Sequence, residues 1–340
     1  AADTPAPLRI EPQAAVVAAG STGFLLATNR YRGDDQYWVR YDTGERTPID
    51  GNQYMYPGEN LVVGDNVLLC GTGAPTVRNM TTGTTVLTVP GESGRWCAGL
   101  AGGAVFLEPR SVSDPLRMYD AEHGIRTVTG IPEGSTRVTV RQGTATHALL
   151  RYRGADGVEH RGTIDFADAA VAEASEWHFE AALSDTRIAW NEYDPATKKS
   201  TVVVHTRGKA EKQIIEAARD AHVAFLGDRL VHSAPDGTQA LAPSPLNRLN
   251  VVDLKTGATT RLLDHVRAVA AAPDGDLLVS GGQIGTGDGI FHVSVGADGT
   301  PTAATRPSSR RSATPTCRPR RSTSTRPTAP PSSSSSTTRA

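Results

Sequence analysis

The chain has 340 residues, 38% of them hydrophobic and 5% aromatic, with 34 glycines and a formal net charge of −1. Residues 305–340 carry eight Arg and no acid, so the rest holds 27 basic against 36 acidic residues, and a body at −9 argues against a nucleic-acid partner. No apolar run approaches the ~18 residues of a membrane-spanning helix, and a composition rich in Val, Ala, Thr and Gly disfavours an all-helical chain.

The sequence opens Ala1-Ala2-Asp3-Thr4-Pro5-Ala6-Pro7 without Met, as a mature secreted protein does after a signal peptide is removed behind small residues. Residues 1–7 read as an extension. Leu8-Arg9-Ile10 reads as a stray strand, expected to pair beside the last repeat, because an open ring of sheets would leave unpaired edges.

From there a unit recurs about every 42 residues up to residue 299. Each copy runs apolar strand, reversal, second apolar strand, third strand, then a turn into a polar outer strand. The turns are Asp42-Thr43-Gly44, Thr81-Thr82-Gly83, Ala121 to Gly124, Asp165 to Asp168, Thr206-Arg207-Gly208, Lys255-Thr256-Gly257 and Ala297-Asp298-Gly299. Seven four-stranded units at this spacing predict an all-β, seven-bladed propeller of four-stranded blades over 8–304.

The second strands read as short unbroken apolar runs, among them Phe24 to Ala27, Val105 to Leu107 and Leu277 to Val279, which is what strands covered on both faces require. Candidate innermost strands, Ala15 to Ala18, Leu61 to Val63 and Arg267 to Ala270, are mostly apolar as well. Two stretches strain the pattern. Residues 209–221 have helix-forming composition, but the repeat places Gln213 to Glu216 on the outer strand of the fifth blade. Residues 165–176 lack the turn glycine, which leaves the fourth blade's outer edge weakly marked.

Thr305 to Ala340 uses six residue types, Thr, Arg, Pro, Ser, Ala and Cys. It reads either as a disordered linker or as a frame-shifted stretch of GC-rich DNA whose true frame encodes a turn and a strand. The arginines are not read as a nucleic-acid arm, since Lys and interleaved aromatics are missing.

Cys70 ends a second strand and Cys97 begins the next first strand, so alternation puts both at one rim, and either a disulfide between neighbouring blades or two buried thiols is compatible. Nine His are scattered without paired spacing, and no Gly-x-Ser-x-Gly elbow occurs; no catalytic residue, metal or cofactor is expected. Arg30-Tyr31-Arg32-Gly33-Asp34 recurs as Arg151-Tyr152-Arg153-Gly154-Ala155-Asp156 between second and third strands. Those connections share one rim. Its long loops, Glu108 to Pro115, Asn191 to Lys199, Ser233 to Asn247 and Gly281 to Gly289, make Tyr31, Arg32, Asp34, Tyr152, Arg153, Asp156, Tyr193, Asp194 and Asp288 the candidate ligand-contacting residues.

The stretch from Val223-Ala224-Phe225-Leu226-Gly227-Asp228 through Asn250-Val251-Val252-Asp253-Leu254-Lys255-Thr256-Gly257 to Ala272-Pro273-Asp274-Gly275-Asp276-Leu277 resembles WD40-like or TolB-like propeller repeats. More narrowly, it is similar to the amino-terminal propeller of secreted actinobacterial proteins that continue into FG-GAP (VCBS) repeats. The turn Asp253 to Gly257 also resembles the Asp-x-x-Thr-Gly turn of quinoprotein propellers, but Arg261 stands where those carry a docking Trp. The resemblance implies an extracellular binding or adhesion scaffold. The first reading of the chain is a monomeric, secreted, non-catalytic propeller that binds protein or carbohydrate. The competing reading is a propeller hydrolase or lyase, or the gating propeller of a serine peptidase without its catalytic domain.

Overall fold

The computed structural model describes residues 9–10, 14–27, 36–49, 61–94, 96–111, 113–176, 180–218, 221–233, 248–272, 274–283 and 287–305. The chain divides into Ala1–Arg310 and Arg311–Ala340. The tail reading concerns residues beyond 305, and these lie outside the described residues, as do Tyr31, Arg32 and Asp34.

Strand β1 (Arg9–Ile10) precedes seven antiparallel meanders. Blade one is β2 (Ala15–Ala19), β3 (Gly23–Ala27), β4 (Gln36–Arg40) and β5 (Arg46–Pro48). Blade two is β6 (Val62–Val63), β7 (Asn66–Leu69), β8 (Thr76–Asn79) and β9 (Thr85–Thr88). Blade three is β10 (Cys97–Ala101), β11 (Ala104–Leu107), β12 (Arg117–Asp120) and β13 (Gly124–Thr127). Blade four is β14 (Thr136–Gly143), β15 (His147–Arg153), β16 (Glu159–Asp165) and β17 (Ala170–Glu176). Blade five is β18 (Ala181–Leu183), β19 (Arg187–Asp194), β20 (Lys199–Thr206) and β21 (Lys212–Ala217). Blade six is β22 (His222–Leu226), β23 (Arg229–Ser233), β24 (Leu249–Asp253) and β25 (Thr259–Leu263). Blade seven is β26 (Val266–Ala271), β27 (Leu277–Gln283), β28 (Gly287–Val295) and β29 (Pro301–Thr305).

Burial follows strand position. β3 and β11 are buried at every residue, because each blade is covered on both faces by its neighbours. The outer strand β21 instead alternates exposed and half-buried over Lys212–Ala217, as an edge with one face to water does. This is the segment whose composition favours a helix. It pairs with β20 from His205↔Lys212 to Ser200↔Ala217, so tertiary pairing overrides propensity. In blade four, Ala169 takes the positive φ of 50° next to a turn that lacks glycine, and the outer strand forms all the same. Its Cβ is buried in the core between blades three and four, which supports a conformation an isolated alanine avoids.

Innermost strands close the ring: β2 packs on β6, β6 on β10, β10 on β14, β14 on β18, β18 on β22, β22 on β26, and β26 back on β2. The core is accordingly a series of inter-blade clusters. Val16, Phe24 and Leu26 of blade one meet Ala270, Leu278 and Ile290 of blade seven, for example. Among the described residues, the buried cluster at the seam of blades four and five is the smallest, with five residues. There the guanidinium of Arg161 lies 4.1 Å from the ring centroid of Trp190, and burial pulls its pKa down to about 10.

Blade seven holds the closure. β27 and β28 pair along their length, and the far edge of β28 is shared: β29 takes Phe291 to Val295, while β1 takes Gly289 and Asp288. The expected terminal strand therefore completes the last blade, in line with β29 and running the same way. Blades two and three are joined covalently by the disulfide Cys70–Cys97, with Cα atoms 6.2 Å apart.

Candidate functional site

Alternating strand direction sorts the connections onto two rims. One carries the first-to-second and third-to-fourth turns, and its polar groups are spent on joining blades. Asp65 Oδ1 accepts the Thr22 backbone N–H at 2.9 Å, tying blade two to blade one. Arg126 donates to the Phe166 and Ala167 carbonyls, both at 2.9 Å, tying three to four. Arg187 stands 3.3 Å from Asp228, and Arg229 donates to the Gly299 carbonyl at 2.6 Å, tying five to six and six to seven. The turns are also capped from within. Asp253 Oδ1 accepts the N–H groups of Lys255 and Thr256, and these bonds hold its carboxyl below the usual range. Sequence patterning identified these turns but not their inter-blade role.

The opposite rim carries the second-to-third connections and the crossings between blades. It is less loop-rich than the sequence suggests. Asn191 to Asp194 belong to β19 and pair with β20 as far as Asp194↔Lys199, so that connection shrinks to residues 195–198. Gly281 and Gln283 likewise belong to β27, pairing with Gly289 and Gly287. Polar strand ends on both partners extend the hairpins beyond the core, because cross-strand backbone pairing continues wherever no proline or bulge stops it.

The sequence-derived contact residues divide accordingly. Tyr152 is on β15, 3% exposed, and stacks on His160 at 5.1 Å between centroids; burial first, and then Asp156, pushes its phenol pKa up. It is a packing residue, since strand alternation turns it inward between Arg151 and Arg153. Arg153 Nε donates to the Gly157 carbonyl at 2.9 Å, and Asp156 Oδ1 accepts the Val158 N–H at 2.9 Å, so both shape their own hairpin. Asp194 accepts from Ala196 N, Thr197 N and Thr197 Oγ1, and the Thr197 hydroxyl is the main cause of its lowered pKa. Tyr193 sits opposite Ser200 on the same hairpin. Asp288 pairs through its backbone with Ile10 and Gly282, and its side chain lies outside the described residues. Among the described residues, Tyr152, Arg153 and Asp156 belong to the hairpin of blade four and Tyr193 and Asp194 to that of blade five.

A different feature occupies this rim at blades three and four. The connection from Glu108 to Pro115 and the crossing from Val128 to Ser135 bound a cleft of about 190 Å³. Pro109, Pro115, Ile131 and Pro132 supply its apolar wall, and Asp114 and Glu133 add carboxylates. The loop is braced by Arg110 N–H to Asp114 Oδ2 at 2.9 Å, and Ser135 Oγ donates to the Pro132 carbonyl at 2.7 Å. Beside it, burial raises the Glu108 carboxyl pKa. The Glu108 N–H donates to the carbonyl of Trp96 at 3.0 Å, and Trp96, next to the disulfide, is 58% exposed. Neither Trp96 nor the cleft was marked by sequence reasoning; a Trp flanking a rim cysteine was the available signal.

On the first rim Asp274, Asp276 and His292 bring one possible metal-ligand atom each within 4.8 Å of one another. No other such trio occurs among the described residues.

No protein-family profile matches the chain, and no curated protein matches it in sequence. Among solved structures it is similar to the β-propeller domain of the Trilobed protease from Pyrococcus furiosus, at 11% identity and TM-score 0.44, covering 80% of this chain and 81% of that one. It is similar to TolB from Acinetobacter baumannii at 10% identity and TM-score 0.38, with coverage of 72% and 69%. Hydrazine synthase of Kuenenia stuttgartiensis shows 13% identity and TM-score 0.40, with coverage of 68% and 74%. These neighbours differ in role and stand too far away to assign one. The seven-bladed propeller rests on the strand pairing and ring packing of this chain.

Proposed function

We propose that the chain is a secreted, non-catalytic propeller that binds a protein or glycan ligand on the rim of blades three and four. One observation carries the reading: Trp96, 58% exposed, is joined through its backbone carbonyl to Glu108, the residue before the Pro109 that lines the cleft. A large aromatic with one face in water beside a concave apolar surface is the usual anchor of a recognition site. At about 190 Å³ the cleft suits one side chain or one sugar ring of a larger ligand, since sites that enclose a whole small molecule run ~300–1,000 Å³. The disulfide supports an oxidising, extracellular location. An acidic body favours neutral or basic ligands over nucleic acid. The resemblance of blades six and seven to the propellers of secreted FG-GAP proteins fits the same role.

The test is a peptide and glycan array probed with the wild-type chain and with Trp96→Ala. Saturable binding that weakens at least ~30-fold in the variant is expected for an anchor residue. Turnover of any array member, or binding indifferent to Trp96, would refute the proposal.

A further inference from the structure

We propose that Asp274, Asp276 and His292 form a binding site for a divalent first-row transition cation, with Zn²⁺ as the probe, that clamps the inner turn of the ring-closing blade. The site is built from two rigid elements. Asp274-Gly275-Asp276 is the turn between β26 and β27, and His292 stands on β28 opposite Leu278, directly after that turn.

The turn has a defined shape. Gly275 adopts φ 84°, the Ala272 N–H donates to the Asp276 carbonyl at 2.8 Å, and the Asp276 N–H donates to Asp274 Oδ1 at 3.2 Å. That last bond orients the Asp274 carboxylate and leaves its second oxygen out of the turn.

The geometry between the side chains carries the argument. His292 Nε2 lies 2.8 Å from Asp276 Oδ2, an ion-pair contact that falls outside hydrogen-bond geometry, and Nε2 itself is shielded from solvent. A ring N–H aligned with the oxygen at that distance would be a hydrogen bond, so the two are not aligned. Donors ~2.1 Å from a shared cation are roughly 3.0–3.4 Å apart when adjacent, so the pair needs to open by only a few tenths of an ångström to share one. A cation between them would satisfy the buried nitrogen and neutralise two carboxylates. One imidazole with two carboxylates favours Zn²⁺, Co²⁺, Ni²⁺ or Mn²⁺ over the all-oxygen cages of Ca²⁺, and water would complete the coordination. The fit is independent of the ligand proposed for blades three and four, which lies on the other rim.

The His spacing in the sequence hides the site, because its ligands come from a turn and from a strand 16 residues further on, joined by hairpin register. The consequence is mechanical. The ion would tie the β26–β27 turn to β28, the strand on which both β1 and β29 pair.

The experiment is calorimetric titration of Zn²⁺ into chelator-treated, tag-free full chain, followed by Co²⁺ absorption spectra and thermal melts. One equivalent of saturable uptake is expected, with Co²⁺ d–d bands and a melting temperature raised by roughly 4 °C at a free Zn²⁺ concentration of ~100 times Kd. Asp274→Asn, Asp276→Asn and His292→Gln should each weaken uptake at least ~10-fold. Asp274 is exposed, so its variant should fold normally, and Asp298→Asn on the neighbouring turn should bind as wild type. Uptake weaker than about 1 mM, uptake unchanged in the three variants, or tighter binding of Ca²⁺ than of Zn²⁺ would overturn the proposal.

Discussion

Reduction of the Cys70–Cys97 disulfide offers a quantitative test of how the blades are held. The bridge joins residues 27 apart in sequence and connects the end of β7 to the start of β10. Closing a loop of that length removes about 3.5 kcal/mol of chain entropy from the unfolded state. The bridged cysteines are 7% and 1% exposed, and reduction is expected to leave the packing around them in place. The loss should therefore be close to the whole entropic value. For a propeller of roughly 300 residues the unfolding entropy is near 0.6 kcal/mol/K, so the melting temperature should fall by about 6 °C. The assay compares oxidised and dithiothreitol-reduced protein in a Cys317→Ser background, by thermal melt and by urea. The urea midpoint should drop while the m-value rises, because the unlinked unfolded chain exposes more surface. A reduced protein melting within about 1 °C of the oxidised form, with an unchanged m-value, would refute the loop-entropy account.

Gly143→Ala would place a Cβ 2.6 Å from the Ala101 Cβ across the seam of blades three and four; an overpacking loss of about 1–3 kcal/mol is expected in urea unfolding, and an unaffected midpoint would contradict the packing. Left-handed backbone predicts opposite signs at two exposed turns. Lys198→Gly, at φ 57°, should gain about 0.5 kcal/mol, while Gly257→Ala, at φ 74° with open space around its Cβ, should lose about 1 kcal/mol; the same sign at both would sink the argument. His232 is buried in β23, and desolvation holds its pKa below the ordinary value. The folded state keeps the ring neutral while the unfolded state takes up a proton below pH ~6.5, so stability is full above that pH and declines as pH falls. His232→Asn should flatten the fall in urea midpoint between pH 7 and 5, and an equally steep profile would count against it.

The blades were legible because their determinants are local. Apolar runs such as Phe24 to Ala27 and Val105 to Leu107, and turns such as Lys255-Thr256-Gly257, write strand, reversal and spacing into neighbouring residues. Even the helix-like composition of residues 212–217 yields to the repeat register, because an unpaired β20 edge gains more from a partner strand than the segment gains from a lone helical turn.

Sites were less legible because they join residues from separate segments. Arg-Tyr-Arg at 151–153 looks like an exposed recognition motif, but strand alternation buries Tyr152 against His160. The cleft of blades three and four needs a loop from one blade and a crossing to the next. The trio Asp274, Asp276 and His292 depends on a hairpin register that no linear spacing encodes. By itself, the sequence determined a ring of seven β-meanders, whose period and burial pattern are properties of contiguous residues. Tertiary structure alone decided that the first rim joins the blades, that a loop and a crossing enclose a cleft on the second, and that β1 and β29 share the edge of β28, because each depends on which segments meet across a seam.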